Sequence, residues 1–418
     1  MLSFTHANIK SAFMRSAILW CCLTIIASIM TATTAQANPA ELSEIPKNLA
    51  DVIHLPTGFK LNVFAKLKAG RSDYFSGPRM MTFDEQGNLL VSTGLQNQVW
   101  LLPDANHDGI ADSNVLISDR LNGPQGLAFV GGKLLVANQD GVVQLEQSNG
   151  KVIIKSFISN LPSGGHTLKN IKLGPDGYLY INVGSSCNVC AETNPLRATM
   201  LRYTAEGKAA GALVTLGHYA PNPIYAYGLR NAQGFAWQPE TDAMYATNEG
   251  ADMRADSQNG KANDAIPPEH LNIIEAGKHY GWPHCWGNQV TDQNFIGAED
   301  FCKNTQPPVI MFDSHSTPIG ITFLKQANFP AEYKNDAIVA LHGSWNRDEP
   351  SGYKLVRVKF KDNQAIAIED FATGWLKNNE AWGRPVDVVI GPDGALFISD
   401  DRAGLIYRIT YPKLVTQE

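Results

Sequence analysis

The chain has 418 residues, of which 44% are hydrophobic and 18% charged, a composition typical of a globular protein. A formal net charge of -6 is mild for this length and gives no reason to expect a nucleic acid or an anionic membrane as the partner. The length is sufficient for one large domain or two ordinary ones.

The first residues are typical of an export signal. Lys10 and Arg15 precede the apolar run AILWCCLTIIASIMTA, which is short for a bilayer span, and small residues follow at Ala35 and Ala37. We predict a signal peptide over 1–37, a linker over 38–50 and a periplasmic or secreted mature protein without a membrane span. An uncleaved N-terminal anchor is the alternative interpretation.

Six copies of one phrase follow, and they begin at Gly77, Gly123, Gly164, Arg230, Thr317 and Gly383. Each copy has a polar or Gly/Pro start, a short strand, a turn rich in Gly, Asp or Asn, and a second β-branched strand. Further strands such as QVWLLP and YKLVRVKF lie between the copies. The pattern predicts an all-β fold, a six-bladed β-propeller over 51–415, with a pair of β-sandwiches as the alternative.

The two ends of the domain are predicted to share one blade. The segment GFKLNVFAKL near the start and the segment GLIYRITY near the end can both supply strands to it. Such a blade would leave no exposed sheet edge.

The segment DANHDGIAD resembles an oxygen-ligand loop for calcium. Asp104, Asn106, Asp108 and Asp112 occupy positions one, three, five and nine, with Gly109 at the sharp turn. Val115 stands at position twelve, where an EF-hand has Glu. We predict a structural calcium ion here, and an Asx-rich turn without metal is the alternative.

Four cysteines remain after the predicted signal peptide. An even number in an oxidising compartment predicts disulfides, and proximity in sequence favours the pairs Cys187–Cys190 and Cys285–Cys302. A redox dithiol, a zinc half-site and a haem attachment are less favoured, because no His follows Cys190 and no second CxxC exists.

Equivalent positions of propeller blades converge at one end of the central channel. The starts of the repeats carry Arg79, Gln125, His166, Arg230 with Asn231, and Arg384. The ends of the next strands should surround the same pocket, which places 248–251 and 342–347 there. Longer connections after Arg202 and Asp252 are expected as loop insertions on this face.

Three permanent cations, Arg230, Arg347 and Arg384, suit a flat polyanion bound through carboxylates or phosphates. Trp345 offers a ring face to a planar ligand, and His166 has an ordinary pKa suited to proton transfer. For each residue taken alone, a salt-bridge partner or a satisfied polar histidine is the simpler interpretation.

Five segments together resemble one family: HGSWNR, GLRNAQGFAW, SGGHTL, KHYGWP and GRPVDVVIGPDGALFISD. They are similar to the sorbosone/pyranose dehydrogenase branch of the soluble quinoprotein sugar dehydrogenases. The resemblance spans essentially the whole mature chain. It implies a six-bladed propeller that uses pyrroloquinoline quinone (PQQ) with calcium.

The resemblance also implies roles for individual residues. His166 would be the general base for a sugar hydroxyl at the anomeric carbon or for an aldehyde hydrate, with hydride passing to the C5 carbonyl of the quinone. Arg230 would stabilise the charge that develops on the C5 oxygen, with Asn231 beside the cofactor. Calcium would act as a Lewis acid, held in part by the backbone carbonyls of Gly250 and Ala251.

The cofactor carboxylates would be held by Arg347 and Arg384. The glucose dehydrogenase branch has Lys where this chain has Asn346, a second Arg in place of Val386, and an Asp that orients the catalytic His in place of Ser185. We therefore expect the cofactor contacts to come from the segment that contains His342, Trp345, Asn346 and Arg347.

The predicted function is the oxidation of a small sugar or sorbosone-type aldehyde, with electrons passed to an external acceptor such as a cytochrome or a quinone. Two rival functions use the same fold. One is a calcium-dependent lactonase or esterase-like propeller, whose sites usually carry Asp, Asn and Glu at the blade starts. The other is a propeller that binds a partner protein without catalysis.

Overall fold

The computed structural model describes residues 45–68, 76–212, 222–257 and 259–412. The predicted signal peptide and residues 38–44 of the predicted linker lie outside the described residues. In the part that is described, no helix is long and apolar enough to cross a lipid bilayer.

The strands form six four-stranded antiparallel sheets, which are the blades of a propeller, and two small hairpins. In chain order the strands are β1 Lys60–Lys66; blade 1, β2 Met81–Phe83, β3 Leu89–Thr93, β4 Gln98–Leu102 and β5 Val115–Ser118; blade 2, β6 Leu127–Val130, β7 Lys133–Asn138, β8 Gly141–Ser148 and β9 Lys151–Ile158; blade 3, β10 Ile171–Leu173, β11 Leu179–Val183, β12 Thr199–Tyr203 and β13 Ile224–Tyr227; blade 4, β14 Phe235–Trp237, β15 Met244–Asn248, β16 Glu269–Ile274, then the hairpin β17 Cys285–Trp286 and β18 Val290–Thr291, and β19 Ile310–Phe312; blade 5, β20 Pro318–Phe323, β21 Ala337–Leu341, β22 Lys354–Lys361 and β23 Gln364–Ala372; the hairpin β24 Leu376–Lys377 and β25 Glu380–Ala381; and blade 6, β26 Pro385–Ile390, β27 Leu396–Asp400 and β28 Leu405–Thr410.

Helical structure within the described ranges is confined to single turns. These are the 3₁₀ turns Leu49–Asp51, Gly94–Gln96 and Ala331–Tyr333 and one α-helical turn, α1 Glu299–Cys302. The predicted six-bladed β-propeller is confirmed, and the pair of sandwiches is excluded. The strands lie inside the predicted bounds 51–415.

The six repeated phrases correspond to the first two strands of the six blades. The second strand is buried along its whole length in blades 1, 3, 4, 5 and 6. Residues such as those of AIVAL in β21 carry branched or small apolar side chains, which pack on both faces of a sheet that lies between two neighbours. The apolar character of the repeated second strand therefore follows from the packing of each blade between two neighbours.

Blade 6 closes the ring with a strand from each end of the domain. β1 pairs antiparallel with β28, from Lys60 opposite Thr410 to Lys66 opposite Leu405, so β1 is the outermost strand of that blade. The predicted closure is confirmed. Pairing the two ends of the domain removes a sheet edge and makes the ring depend on a long-range contact.

The first strand of every blade begins at one end of the propeller, which we call the top face. Because the strands are antiparallel, the connection between second and third strands returns to this face. The insertion after Asp252 joins β15 to β16 and lies there. The insertion after Arg202 joins β12 to β13, and its described ends, 204–212 and 222–223, connect the two strands at the opposite end of the propeller, so the expectation that this connection starts and finishes on the top face is wrong.

Both predicted disulfides are present. Cys187 is bonded to Cys190, and Cys285 is bonded to Cys302. The first bond closes a loop that follows β11 at the top face, and the second ties α1 to the hairpin β17–β18.

Candidate active site

A buried polar network joins the blade starts at the top face. Arg79 donates from Nε to Gln125 Oε1 at 2.7 Å and from Nη1 to Asp401 Oδ2 at 2.5 Å. Gln125 Nε2 donates to Gln233 Oε1 at 2.7 Å, and Gln233 Nε2 donates to Glu249 Oε1 at 2.8 Å. All five side chains belong to different strand ends, and the network fixes the blades against one another.

His166 lies just before β10, at the end of a glycine-rich turn. Its Nδ1 is 2.8 Å from Ser185 Oγ and 3.2 Å from the Ser185 carbonyl oxygen. The Ser185 hydroxyl donates to the carbonyl oxygen of Cys187 at 2.7 Å. Since both Ser185 oxygens accept at Nδ1, that nitrogen carries the proton and Nε2 keeps its lone pair.

The electrostatic environment keeps this imidazole neutral. Burial first, and then the positive charge of Arg230, lower the pKa of His166 from 6.5 to about 4. By the resemblance to the glucose dehydrogenase branch, Ser185 would stand where that branch has an Asp. The hydroxyl at this place fixes the tautomer as a carboxylate would, but it brings no negative charge that would stabilise an imidazolium.

Gly184 allows the two neighbouring side chains to approach. A Cβ at this position would lie 2.5 Å from the Cβ of His166 and 3.0 Å from Oδ1 of Asn231. The first separation is one that real Cβ atoms essentially never show, and the second is tighter than most Cβ contacts. The glycine therefore brings the histidine of blade 3 and the amide that precedes blade 4 to the same point.

Arg230 lies beside His166, at the start of blade 4, and is almost fully buried. Its Nη2 donates to Asp252 Oδ2 and to Asn188 Oδ1, each at 2.9 Å, and its Nε donates to the Asn188 carbonyl at 3.1 Å. Burial alone would raise the pKa of Asp252, but His315, whose Nδ1 lies 3.7 Å from Asp252 Oδ1, and the charge of Arg230 lower it. Asp252 is therefore an ionised partner of Arg230.

The segment 342–347 divides between the interior and the surface. His342 is buried, and its Nε2 lies 2.9 Å from Asp401 Oδ1. Trp345 is 62% exposed, so its ring face is free for a ligand. Asn346 Nδ2 donates to Asp252 Oδ1 at 2.8 Å, and this bond brings the segment to the Arg230 ion pair.

The two other predicted arginines differ in their surroundings. Arg384 is buried and donates to the carbonyl oxygens of His342 and Gly343. Arg347 is half-buried and donates to the carbonyls of Ser314 and Glu349, both at 3.0 Å. Among the described residues no carboxylate pairs with Arg347, so its charge is available to an anionic ligand.

The predicted calcium ligands at 250–251 lie on a tightly held backbone. The amide of Gly250 donates to Glu269 Oε2 at 2.5 Å, and Ala251 is buried. Burial raises the pKa of Glu269 to about 8. Glu269, Asn188, Asp252 and His315 also lie at this site and were not among the residues that the sequence predicted there.

Two buried amide oxygens, Asn231 Oδ1 and Asn346 Oδ1, have no hydrogen-bond partner among the described residues. Amide oxygens are acceptable ligands for calcium and accept a bond from an N–H group, while the guanidinium of Arg347 suits a carboxylate. The residues at the top face thus fit a polyanionic, planar cofactor with calcium. Val386, in place of a second Arg, is fully buried and cannot supply a further contact.

The side-chain oxygens of the loop 104–112 accept hydrogen bonds from backbone amides of the same loop. Asp104 accepts from the amides of Asp108 and Gly109, Asp108 accepts from Ile110, and Asp112 accepts from Ala105. The oxygens of Asp104, Asp108 and Asp112 do not gather within 4.8 Å of one another. Asn106 Oδ1 also accepts from the amide of Asp108. The predicted structural calcium ion stays a prediction.

The six blades, with His166 and Arg230 side by side, define a six-bladed propeller with a polar site at its top face. A family model described as TrAA12-like matches residues 64–412, and the chain belongs to this family. The chain is 27% identical over 389 residues to an uncharacterised protein of Borreliella burgdorferi, an alignment that covers 88% of this chain and 93% of that protein.

Two further comparisons concern proteins with a stated activity. The chain is 23% identical over 386 residues to a pyrroloquinoline quinone-dependent pyranose dehydrogenase of Coprinopsis cinerea, covering 79% of this chain and 52% of that protein. A calcium structure of a Trichoderma reesei carbohydrate-active enzyme of family AA12 superposes with a TM-score of 0.73 at 19% identity, covering 86% and 97% of the two chains. The similarity to the Trichoderma reesei structure shows the fold.

Proposed function

We propose that this protein is a quinoprotein sugar dehydrogenase that uses PQQ and calcium. The observation that carries the proposal is the pairing of a neutral, tautomer-fixed His166 with an anchored Arg230 at the top face. Membership of the TrAA12-like family and the similarity to a PQQ-dependent pyranose dehydrogenase support it. No comparable observation supports the two rival functions, a lactonase and a propeller that binds a partner protein without catalysis.

His166 is the general base of the proposed reaction. Its Nε2 lone pair takes the proton of a sugar hydroxyl at the anomeric carbon or of an aldehyde hydrate, while Nδ1 stays bonded to Ser185. When bound, PQQ with calcium supplies the acceptor for the hydride that leaves the same carbon. Arg230 stabilises negative charge that develops beside it, because Asn188 and Asp252 hold the guanidinium in place.

The cofactor would be held by side chains from several blades and by calcium on the backbone carbonyls of Gly250 and Ala251. Arg347 and Arg384 would bind its carboxylates, with the exposed ring of Trp345 as a packing surface. The remaining residues of the proposed cofactor-binding site are Asn231, His342 and Asn346.

The substrate is a pyranose or a sorbosone-type sugar, and electrons pass to an external cytochrome or quinone. The mature protein works in the periplasm or outside the cell. These are parts of the same proposal.

Calorimetric titration of PQQ into the chelator-treated protein, with and without calcium, tests it. We expect calcium-dependent binding that is weakened in Arg347→Ala and unchanged in Arg120→Ala, a matched change at an exposed arginine. Dye reduction with a panel of aldoses and sorbosone should be lost in His166→Gln and kept in His54→Gln, since His54 is exposed. Absence of binding under both conditions would overturn the proposal.

A further inference from the structure

A four-residue loop, 187–190, closed by the Cys187–Cys190 disulfide, lies against Arg230. Asn188 is the loop residue that makes the contact. Its carbonyl oxygen accepts from Arg230 Nε at 3.1 Å and from Trp282 Nε1 at 3.0 Å. Its side-chain Oδ1 accepts from Arg230 Nη2 at 2.9 Å. One asparagine thus binds one whole edge of the guanidinium.

The same asparagine also binds the carboxylate partner of Arg230. The amide of Asp252 donates to Asn188 Oδ1 at 2.8 Å, and Asn188 Nδ2 donates to the Asp252 carbonyl at 2.9 Å. Asn188 is half-buried and 64 residues away from Asp252 in the sequence. Because it holds both members of the ion pair, their relative orientation depends on it.

These contacts leave one nitrogen of the guanidinium for another partner. Nε and Nη2 of Arg230 are bonded to Asn188 and Asp252, and Nη1 has no hydrogen-bond partner among the described residues. A guanidinium fixed along one edge presents the remaining nitrogen in a single direction.

The loop is linked to the general base as well. The carbonyl of Cys187 accepts from Ser185 Oγ at 2.7 Å, and that hydroxyl lies 2.8 Å from His166 Nδ1. The disulfide restricts the backbone between these two anchor points, since the chain that carries both is closed into a short ring.

We propose that Asn188, presented by the disulfide-closed loop 187–190, is a positioning residue that orients Arg230 towards the reacting atoms and couples its position to that of His166. The inference rests on the proposed function for its kinetic consequence. The orientation of Arg230 itself can be tested in the protein without cofactor.

Two substitutions and one control separate positioning from general loop stability. Asn188→Ala removes the three bonds of the side chain and keeps the two to the carbonyl oxygen. Asn188→Asp keeps Oδ1 as an acceptor for Arg230 and for the Asp252 amide. Ser186→Ala is the control, because the Ser186 hydroxyl, one residue before the loop, bonds to Glu192, two residues after it, and does not contact Arg230.

The first readout is the titration of His166 in the cofactor-free protein, followed by NMR with labelled histidine and assigned with His166→Gln. Burial is the main cause of the low pKa of His166; Arg230 and Arg197 lower it further, and Asp252 raises it. We expect the pKa to rise from about 4 in Asn188→Ala, because a loosened guanidinium lies farther from the ring on average. Ser186→Ala should titrate as the wild type.

The second readout is steady-state kinetics with PQQ and calcium. We expect kcat to fall about 10- to 100-fold in Asn188→Ala with little change in KM, as for other small misplacements at an active site. Asn188→Asp should recover most of this loss, and Ser186→Ala should lose nothing.

An unchanged titration of His166 together with an unchanged kcat in Asn188→Ala would overturn the inference. Equal losses of kcat in Asn188→Ala and Asn188→Asp would also overturn it. If Asn188→Ala does not fold, as judged by circular dichroism, a large loss of kcat in a folded Asn188→Asp protein overturns it. If the wild type neither binds PQQ nor oxidises sugars, the proposed function fails, and the titration still decides whether Asn188 holds Arg230.

Discussion

The low pKa of His166 predicts an unusual tolerance of acid. On the proposed function the neutral imidazole is the active base, so activity is complete above the folded pKa of about 4 and is lost as the pH falls through that value. At pH 5, a group with a pKa of about 4 is roughly 90% neutral, whereas one with the ordinary value is only about 3% neutral. The structure thus predicts about 30-fold more activity at pH 5 than an unperturbed histidine would give.

The assay is kcat/KM for one aldose between pH 3.5 and 8, at concentrations of PQQ and calcium whose doubling leaves the rate unchanged. We expect a plateau from about pH 5 upwards and a decline with a midpoint near 4, with the sugar hydroxyl as the proton donor. The control is unfolding at each pH, so that loss of structure is separated from titration. A midpoint near 6.5 in an intact protein would refute the electrostatic account of this site.

Three further predictions concern the Ser185 hydroxyl, the Arg79–Asp401 ion pair and the loop 104–112. Ser185→Ala should lower kcat/KM about 3- to 10-fold, because His166 loses a hydrogen bond of about 1 kcal/mol that orients its ring; a wild-type rate would show that the carbonyl contact suffices. Asp401→Asn should reduce the free energy of unfolding, measured by urea titration, by about 3–5 kcal/mol, because it removes the carboxylate that pairs with buried Arg79. Asp300→Asn, at an exposed ion pair, should reduce it by less than about 1 kcal/mol. Similar losses in the two variants would contradict this prediction. If the loop 104–112 binds calcium, a 100-fold excess over the dissociation constant of that site should stabilise the protein by about 2.7 kcal/mol in thermal unfolding, and Asp108→Ala should lose this contribution but keep the gain from calcium at Gly250 and Ala251; an equal gain in the wild type and in Asp108→Ala would leave the turn without a metal.

The sequence by itself determined the blades. Each repeated phrase is a local hairpin whose short apolar and β-branched strands and turn residues are contained in about twenty consecutive residues, so β10–β11 or β26–β27 can be recognised without knowing their neighbours. The order of the phrases also placed His166, Arg230 and Arg384 at equivalent points, because a propeller repeats the same geometry in every blade.

Tertiary structure decided what these residues contact. Asn188 reaches Arg230 across 42 residues, Asp401 reaches His342 across 59, and Asp252 lies in an irregular insertion rather than in a repeat. The direction of such connections has no local signature, as the misplaced insertion after Arg202 shows. A repeat specifies which strand ends converge, but the partner that fixes a charge at the site comes from loop shape, which depends on packing among all the blades.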